Sequence, residues 1–217
     1  MRAAVWTLPL AKSLDKAREA PAREKAAGDV AGRAGAPDVL AEWDLVKRAQ
    51  AFESAAIEAL YQAYYPKVYN YGFLQMGDVQ AAEDLASDVM LKMIESINKY
   101  HFRGLPFGAW VFRIARNRLI DLHRRRRRRG EVDLSETLSS ALASPHALAE
   151  RALDRGQLQV ALKHLTDEQR QVIVLKFIEG FDNRSVGRIM ARSEGAVKSL
   201  QHRALGSLRR LLYHDRV

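Results

Sequence analysis

Apolar residues recur every three or four positions from Trp43 onward, which is the spacing of one face of an α-helix. The first such face is formed by Phe52, Ile57, Leu60, Tyr61, Tyr64 and Val68. Pro66 interrupts this stretch and predicts a kink. Met76-Gly77-Asp78 then predicts that one helix ends at the glycine and that the aspartate caps the next. Strand-like alternation of apolar and polar residues does not persist anywhere, so the pattern predicts an all-α protein.

Two further helices are predicted over about 79–98 and 106–125. Pro106 suits the first turn of the second helix, and Tyr100 to Gly104 is predicted to be a loop. The apolar face of the first of these helices is formed by Ala82, Leu85, Ala86, Val89, Met93 and Ile97. The inward residues of the second are Phe107, Trp110, Val111 and Ile114. Its opposite face carries Arg113, Arg116, Asn117 and Arg124.

The second half of the chain predicts a helix-turn-helix. Thr166 begins a helix in the manner of a capping box, and Gly180 ends it. A short helix over about 183–190 and a tight turn at 191–193 lead into a helix whose apolar stripe is Val197, Leu200, Ala204 and Leu208. The second helix of such a motif enters the major groove of DNA, whereas a helical hairpin that merely packs is the alternative. The outward positions are Glu194, Lys198, Ser199, Gln201, His202 and Arg203.

These patterns divide the chain into four parts. Residues 1–40 are rich in Ala, Gly, Pro and mixed charges without an apolar period, so we expect a flexible N-terminal extension. Residues 41–129 form a first helical domain, and residues 151–217 form a second small one. Residues 130–150 carry few large apolar groups and are predicted to be a linker between two separate domains.

The net charge of +9 is distributed unevenly along the chain. Residues 113–129 hold nine arginines against one aspartate, and residues 184–217 hold eight basic against two acidic side chains. Residues 41–100 hold five basic and nine acidic side chains. The basic segments are suited to a polyanion and the acidic segment to a basic protein partner. The run Arg124 to Arg129 is predicted to bind backbone phosphates and to fray when unbound. Such runs also serve as membrane-surface or nuclear-localisation signals, which is the alternative.

Composition excludes several classes of function. The chain has no cysteine, which excludes a disulfide scaffold, a cysteine-based zinc site and a thiol nucleophile. Its six histidines lack metal-ligand spacing, and no glycine-rich phosphate loop occurs, so we expect neither an enzyme nor a cofactor or metal. No apolar run is long enough for a membrane helix, and residues 3–10 are too short an apolar stretch for a signal peptide. We therefore expect a cytoplasmic protein without membrane insertion.

Two sets of motifs in this order resemble one known family. Residues 52–129 resemble region 2, and residues 165–212 resemble region 4, of the extracytoplasmic-function (ECF, group IV) bacterial sigma factors of the sigma-70 family. The first set comprises Ala82-Glu83-Asp84-Leu85, Asp88-Val89, Phe107-Gly108-Ala109-Trp110-Val111 and Ile114-Ala115-Arg116-Asn117. The second set comprises Leu165-Thr166-Asp167-Glu168-Gln169-Arg170, Gly195-Ala196-Val197-Lys198-Ser199 and His202-Arg203-Ala204.

The resemblance implies partners and residue roles. The partners are promoter DNA and bacterial core RNA polymerase, through the clamp coiled coil of its largest subunit and its flap. An anti-sigma factor is a further candidate partner. The polymerase-binding residues would be Asp84, Ser87 and Asp88, for which a solvated helix face is the plain alternative. The residues that bind the melted minus-10 element would be Tyr100, Phe102, Arg103, Arg113, Arg116, Asn117 and Arg124. The residues that bind the minus-35 element would be Arg192, Glu194, Lys198, Ser199, His202 and Arg203.

Physical chemistry supports some of these roles and restricts others. Lys198, Ser199 and His202 can reach base edges, whereas Arg192 and Arg203 are suited to phosphates. Trp110 is predicted to lie in the core, while Tyr100 and Phe102 are suited either to packing or to stacking on bases. Leu200 and Ala196 stand where many family members carry Arg and Thr, so the DNA contact of that arginine is not expected here.

Two functions are compatible with these sequence features. The first is a promoter-specificity subunit that acts only when bound to RNA polymerase. The second is a free-standing helix-turn-helix regulator that binds duplex DNA as a dimer. The acidic segment 78–95 and the aromatic loop 100–102 favour the first function, because a simple repressor needs neither.

Overall fold

The computed structural model describes residues 39–102, 104–128 and 158–214. Nearly all of the predicted N-terminal extension and the whole predicted linker 130–150 lie outside these residues, as does Arg103. The regular structure in the described ranges is entirely helical, which confirms the predicted all-α class. Val39 and Leu40 already belong to the first helix.

The described residues form eight helices, numbered here in chain order. The first four are α1 (Val39–Gln50), α2 (Ser54–Met76), α3 (Val79–Ser96) with a short 3₁₀ turn (Ile97–Lys99), and α4 (Phe107–Arg128). The last four are α5 (158–163), α6 (Asp167–Ile173) extended by a π-helical turn (Val174–Ile178), α7 (Asn183–Met190) and α8 (Glu194–His214). We call α1–α4 the first module and α5–α8 the second module.

The predicted boundary between α2 and α3 is confirmed. Gly77 adopts a left-handed conformation with a φ of 74°, and its N–H donates to the carbonyl of Phe73 at 2.8 Å. The carboxylate of Asp78 accepts a hydrogen bond from the N–H of Ala81 at 2.6 Å. Each contact satisfies a backbone group that the helix end would otherwise leave unpaired, so the local sequence determines where both helices stop and start.

Phe52 departs from the predicted apolar face. Its side chain is 63% exposed and lies in the turn between α1 and α2, with a φ of 58° that bulky residues rarely adopt. The N–H of Glu53 donates to the carbonyl of Arg48, which closes this turn. α2 continues through Pro66 without ending. The turn, which the apolar spacing does not reveal, therefore points Phe52 outward.

The core of the first module is formed where α2, α3 and α4 pack together. All six predicted inward residues of α3 are buried, as are Phe107 and Val111 of α4. Trp110 and Ile114 are only partly buried and pack on the core from its edge. The interior apolar positions of α4 that the pattern missed are Ala109, Phe112, Ala115 and Leu119.

The second module contains the predicted helix-turn-helix. The capping box at Thr166 is present, because its hydroxyl accepts from the N–H of Gln169 while the Gln169 amide accepts from the N–H of Thr166. Ala191 takes a left-handed conformation with a φ of 53° at the end of α7. A Cβ at Gly187 would lie 2.8 Å from the carbonyl oxygen of Arg192, so this close turn requires glycine. The predicted apolar stripe of α8, which includes Leu200, is buried.

The two modules are in contact, which the sequence pattern does not predict. Helix α4 of the first module packs along α7 of the second. The ring of Phe181 lies 5.1 Å from that of Phe112, and a Cβ at Gly108 would lie 3.4 Å from the Phe181 ring. The buried apolar residues of both modules thus form one continuous cluster instead of two separate cores.

Candidate nucleic-acid interface

The acidic residues of α3 form a ridge on the outside of the first module. Asp84 and Ser87 are exposed, and Gln80 donates to the Asp84 carboxylate at 3.3 Å. Asp88 is partly buried and accepts from Nε and Nη2 of Arg118 at 2.8 and 2.5 Å. Arg118 therefore offsets part of the Asp88 charge, and Asp84 is the more available of the two carboxylates.

A groove of about 500 Å³ runs beside this ridge between α3 and α4. Leu91 lies in its wall and is 59% exposed, although it is a large apolar residue. Asn117, which the resemblance assigns to DNA, lines the same groove as Asp88 and Arg118. The sequence analysis did not identify Leu91. The feature that could have identified it is an apolar residue on the polar side of a helix. The ridge and the groove together form a surface that is both acidic and apolar.

The aromatic loop before α4 is folded against the first module. Tyr100 is only 6% exposed, with its ring 5.0 Å from that of Phe107 and 5.3 Å from that of Trp110. Burial raises the pKa of the Tyr100 hydroxyl to about 12. Phe102 is 44% exposed and packs on Trp43 at 5.6 Å. Of these two rings, only Phe102 is available to stack on a base in this arrangement.

A basic groove of about 390 Å³ lies at the start of α4. Arg113 and Trp110 line it together with Lys99 and His101 from the preceding loop, and Arg188 reaches it from α7. Cations beside a partly exposed indole ring match the chemistry that holds single-stranded DNA. Lys99 and Arg188 were missed by sequence reasoning, because neither lies within a motif that the resemblance carries.

Arg116 does not share this groove. Its Nε donates to the side-chain oxygen of Gln171 at 3.0 Å, and Gln171 is a buried residue of α6. Three of the predicted minus-10 residues therefore lie in three different places on α4. Arg113 lies in the basic groove, Asn117 lies beside the acidic ridge, and Arg116 is held by the second module.

The arginine run continues α4 to Arg128 instead of fraying. Arg124, Arg125 and Arg128 are exposed, and Arg129 lies outside the described residues. Cations near the C-terminal end of a helix interact favourably with its dipole, which opposes their mutual repulsion. The run is therefore a helical extension of α4 to Arg128, on which the side chains of Arg124, Arg125 and Arg128 face solvent.

The recognition helix α8 presents its predicted polar face to solvent. Of the predicted outward residues, Gln201 is partly buried, and the exposed ones are Glu194, Lys198, Ser199, His202 and Arg203. Ser193 caps the helix by accepting from the N–H of Ala196 at 3.2 Å. The guanidinium of Arg192 instead pairs with the carboxylate of Glu168 on α6. Arg192 must leave this exposed pair, which contributes little stability, before it can contact a phosphate.

Glu179 is a partly buried acid at the junction of the modules that sequence reasoning missed. It follows the π-helical turn of the second module and faces Lys67 and Asn70 of α2. Burial raises the pKa of its carboxyl to about 7, against the smaller opposing effects of Lys67 and of the hydrogen bond with Asn70. The folded chain therefore holds a proton here that the unfolded chain releases near its ordinary pKa of 4.5.

We expect this proton to make stability depend on pH. The stabilisation relative to the unfolded chain is fully present below about pH 4.5 and is lost as pH rises to about 7. Glu179→Gln mimics the protonated carboxyl and removes the titration. It should raise the free energy of unfolding at pH 8 by up to about 3 kcal/mol and leave it unchanged near pH 4.5. Urea melts at both pH values measure this difference.

Glu83→Gln is the matched control, because Glu83 is exposed on α3. The control should leave the difference between the two pH values as it is in the unaltered chain. If Glu179→Gln destabilises the chain equally at both pH values, the carboxyl is ionised in the folded state and the expectation is wrong.

Neither a metal site nor a membrane span is found in the part of the chain that the structure describes. No group of three or more His, Asp or Glu side chains within residues 39–102, 104–128 and 158–214 could hold a metal ion. No helix in these ranges has the length and apolar character that crossing a bilayer requires.

Comparisons with known proteins agree with the two modules. Residues 60–129 match the family Sigma-70 region 2, and residues 161–210 match Sigma-70, region 4. The chain is 36% identical over 174 residues to the ECF RNA polymerase sigma factor BldN of Streptomyces coelicolor, covering 79% of this chain and 66% of BldN. It is 30% identical over 164 residues to the ECF RNA polymerase sigma factor SigL of Mycobacterium tuberculosis, covering 76% of this chain and 93% of SigL.

Solved structures share the fold. The sigma factor RpoE of Bartonella quintana, in complex with the anti-sigma factor NepR, has a TM-score of 0.61 and 26% identity, covering 73% of this chain and 98% of RpoE. CnrH in complex with the cytosolic domain of CnrY has a TM-score of 0.63 and 22% identity, covering 81% of this chain and 99% of CnrH. With both family regions in order and the SigL relative covered almost completely, the chain belongs to the ECF RNA polymerase sigma factors, which act in transcription initiation and are not enzymes.

Proposed function

We propose that this sigma factor binds three different targets with three separate surfaces of the described chain. The acidic ridge of α3 binds core RNA polymerase, the basic groove at α4 holds the melted minus-10 strand, and the exposed face of α8 reads the minus-35 duplex. The observation that carries the proposal is the separation of one acidic and two basic faces on a single chain. A free duplex-binding regulator has no use for the acidic face.

Polymerase docking uses both charge and apolar contact. Asp84 supplies an exposed carboxylate, and Leu91 supplies exposed apolar area in the groove next to it. A basic coiled coil that lies along α3 would pair with the carboxylates while one of its apolar side chains covers Leu91. Hot spots of protein interfaces have this form, an apolar anchor surrounded by polar contacts.

The groove at the start of α4 supplies the contacts that bind the melted strand of the minus-10 element. Lys99 and Arg113 attract the phosphates of the melted strand, while Phe102 and Trp110 offer ring faces to its bases. Stacking contributes about 1–3 kcal/mol per base and tolerates different sequences, so the cations and rings hold the strand open. Arg116 and Asn117 join this site only when the strand runs further along α4.

Minus-35 recognition relies on three exposed side chains of α8. Lys198, Ser199 and His202 lie one turn apart or adjacent, so they face the same stretch of major groove. Arg203 contacts a phosphate beside them. Leu200 is buried, which leaves the neighbouring polar residues to read the bases.

We also propose that the chain acts in the cytoplasm and is held there by an anti-sigma factor. RpoE, which shares 26% identity with this chain, was solved in complex with the anti-sigma factor NepR. The acidic and apolar ridge of α3 is a suitable surface for such a partner, because occupying it would exclude the polymerase. Pull-down with the full chain from its source bacterium tests both partners together.

In vitro transcription with purified core RNA polymerase tests the proposed function. The chain should support initiation at discrete sites on genomic templates, whereas core polymerase alone should not. Initiation at no site, together with footprints of a protein dimer on duplex DNA without polymerase, would establish the free-standing regulator instead.

Lys198→Ala and His202→Ala should each weaken dependence on the minus-35 sequence. Loss of a base contact costs about 1–3 kcal/mol, which is roughly a five- to hundredfold fall in initiation from the intact promoter. Base substitutions at minus-35 should then reduce transcription less in the variants than in the unaltered chain. Arg209→Ala, an exposed basic residue further along α8, is the control. Equal sensitivity of variant and unaltered chain to minus-35 substitutions would exclude base reading by these two residues.

A further inference from the structure

Helix α1 contacts the backbone that leads into the aromatic loop (100–102), although α1 precedes residue 60, where the match to Sigma-70 region 2 begins. The side-chain amide of Gln50 donates two hydrogen bonds there. Its acceptors are the carbonyl oxygens of Ile97, at 2.9 Å, and of Tyr100, at 2.8 Å. Because both acceptors are backbone groups, these bonds fix the path of the chain as it enters the loop.

Trp43 of α1 packs on the rings of the same loop. The centroid of its ring lies 6.1 Å from that of Tyr100 and 5.6 Å from that of Phe102. Trp43 is seven residues before Gln50, which is two helical turns, so both side chains lie on the same face of α1. Trp43 also packs on the core of the module, so it is a firm support for Phe102, the ring that the proposed function offers to a base.

Glu42 of α1 caps the start of α4. Its Oε2 accepts a hydrogen bond at 3.1 Å from the N–H of Phe107, the first residue of α4. Pro106, directly before the helix, has no side-chain acceptor that could supply this bond locally. The helix dipole also favours a carboxylate at this end of α4. The cap therefore comes from a residue 65 positions away, and it joins α4 to α1.

Tyr64 of α2 holds the Glu42 carboxylate in this position. The hydroxyl of Tyr64, which is 5% exposed, donates to Oε1 of Glu42. Burial raises the pKa of this hydroxyl, and the Glu42 carboxylate raises it further, so the tyrosine keeps the proton that it donates. Each oxygen of the carboxylate thus has its own donor, and the orientation of Glu42 is fixed from two sides.

We infer that α1 is a positioning helix for the minus-10 site, in which Glu42, Trp43 and Gln50 hold the aromatic loop and the start of α4 in the arrangement that binds the melted strand. This inference rests on the proposed function. Phe102 lies in the loop that Trp43 and Gln50 hold, and Arg113 lies on the helix that Glu42 caps. Ordering a loose loop costs free energy at the moment of binding, so a loop that is already held binds the strand more tightly.

Initiation with core RNA polymerase tests this role on two versions of a promoter at which the unaltered chain initiates. One version is intact, and the other carries several base substitutions in its minus-10 element. Glu42→Ala removes the cap of α4, and Gln50→Ala removes both bonds to the backbone before the loop. At a saturating concentration of chain, each variant should lower the ratio of initiation on the intact promoter to that on the substituted promoter. The expected fall is about tenfold, because losing hydrogen bonds of this kind changes an equilibrium by about that factor.

Glu42→Gln and Asp78→Ala are the controls. Glutamine keeps an oxygen that can accept from the N–H of Phe107, so Glu42→Gln should retain most of the ratio. Asp78→Ala removes the cap of α3, a bond of 2.6 Å from the N–H of Ala81, and should lower the melting temperature by a few degrees, as loss of a helix cap does. Its ratio should nevertheless equal that of the unaltered chain, because this cap holds neither the aromatic loop nor the start of α4.

Three results would overturn the positioning role. They are an unchanged ratio in Gln50→Ala, an equal fall in Asp78→Ala, and a ratio in Glu42→Gln as low as in Glu42→Ala. If Glu42→Ala does not fold, as its melting curve would show, the comparison of Gln50→Ala with Asp78→Ala decides alone. Failure of the proposed function is distinct, since the unaltered chain itself would then not initiate or would initiate equally on both promoters.

Discussion

Reversing the charge of the acidic ridge should abolish polymerase binding. In the Asp84→Lys, Asp88→Lys double variant, two carboxylates that face a basic partner become two cations, so attraction turns into repulsion at close range. Buried or central charge pairs of this kind cost 2–5 kcal/mol or more when they are broken, so we expect affinity for core polymerase to fall by at least about a hundredfold. Titration of fluorescent chain with core polymerase measures the loss.

The chain offers a closely matched control for this variant. Glu53 immediately precedes α2 and Glu58 lies near its start, so both belong to a different segment from the ridge on α3, and both are exposed. Glu53 pairs with Arg48 as Asp88 pairs with Arg118, and Glu58 accepts from Gln62 at 3.0 Å as Asp84 accepts from Gln80.

The Glu53→Lys, Glu58→Lys variant therefore removes one ion pair with an arginine and one hydrogen bond with a glutamine. Its net charge equals that of the Asp84→Lys, Asp88→Lys variant. It should bind core polymerase normally, and both variants should melt within a few degrees of the unaltered chain, because exposed pairs contribute little. Equal loss of affinity in both double variants would show that net charge, and not the ridge, governs binding.

Replacing arginines at the end of α4 should produce the second large effect. Alanine at Arg124, Arg125, Arg126 and Arg128 should lower the salt slope of DNA binding by about 3, because each phosphate contact contributes roughly 0.7–0.9. The same arithmetic gives a loss of affinity of about a thousandfold near 0.1 M salt. Binding of a mixed-sequence duplex of about 30 base pairs across a salt series measures both quantities.

A smaller pair of variants separates position from charge. Arg124→Ala with Arg125→Ala, and Lys47→Ala with Arg48→Ala, each remove two neighbouring exposed cations. The first pair should lower the slope by about 1.5 and the second by close to zero. Identical slopes for the two pairs would mean that the run at the end of α4 makes no phosphate contacts.

Local signals in the sequence were sufficient for the helices and their ends. Gly77 and Asp78 stop one helix and start the next through bonds that span three or four residues. The Thr166 capping box and the buried stripe of α8 are equally local. Such features depend on near neighbours and helical periodicity, so they can be read from the chain alone. The exposure of Phe52 was not predicted, because Phe52 itself takes a left-handed conformation that turns its side chain away from the apolar face.

The helical face on which each candidate residue lies was predictable, but the geometry of the candidate site was not. Exposure of Asp84 and Lys198 agrees with the helical face on which each was placed. Tyr100, by contrast, is buried under rings of α4, and Leu91 and Lys99 complete grooves that no motif marks. The positions of these side chains depend on packing between helices that are distant in sequence.

The helical class, the helix-turn-helix and the family can therefore be read from the chain alone, because periodicity, caps and motifs are properties of neighbouring residues. Packing between distant segments, by contrast, places Arg116 on Gln171, pairs Arg192 with Glu168 and joins the two modules in one apolar cluster. These outcomes depend on which surfaces meet when tethered modules pack, and that choice involves contacts between residues as many as 95 positions apart.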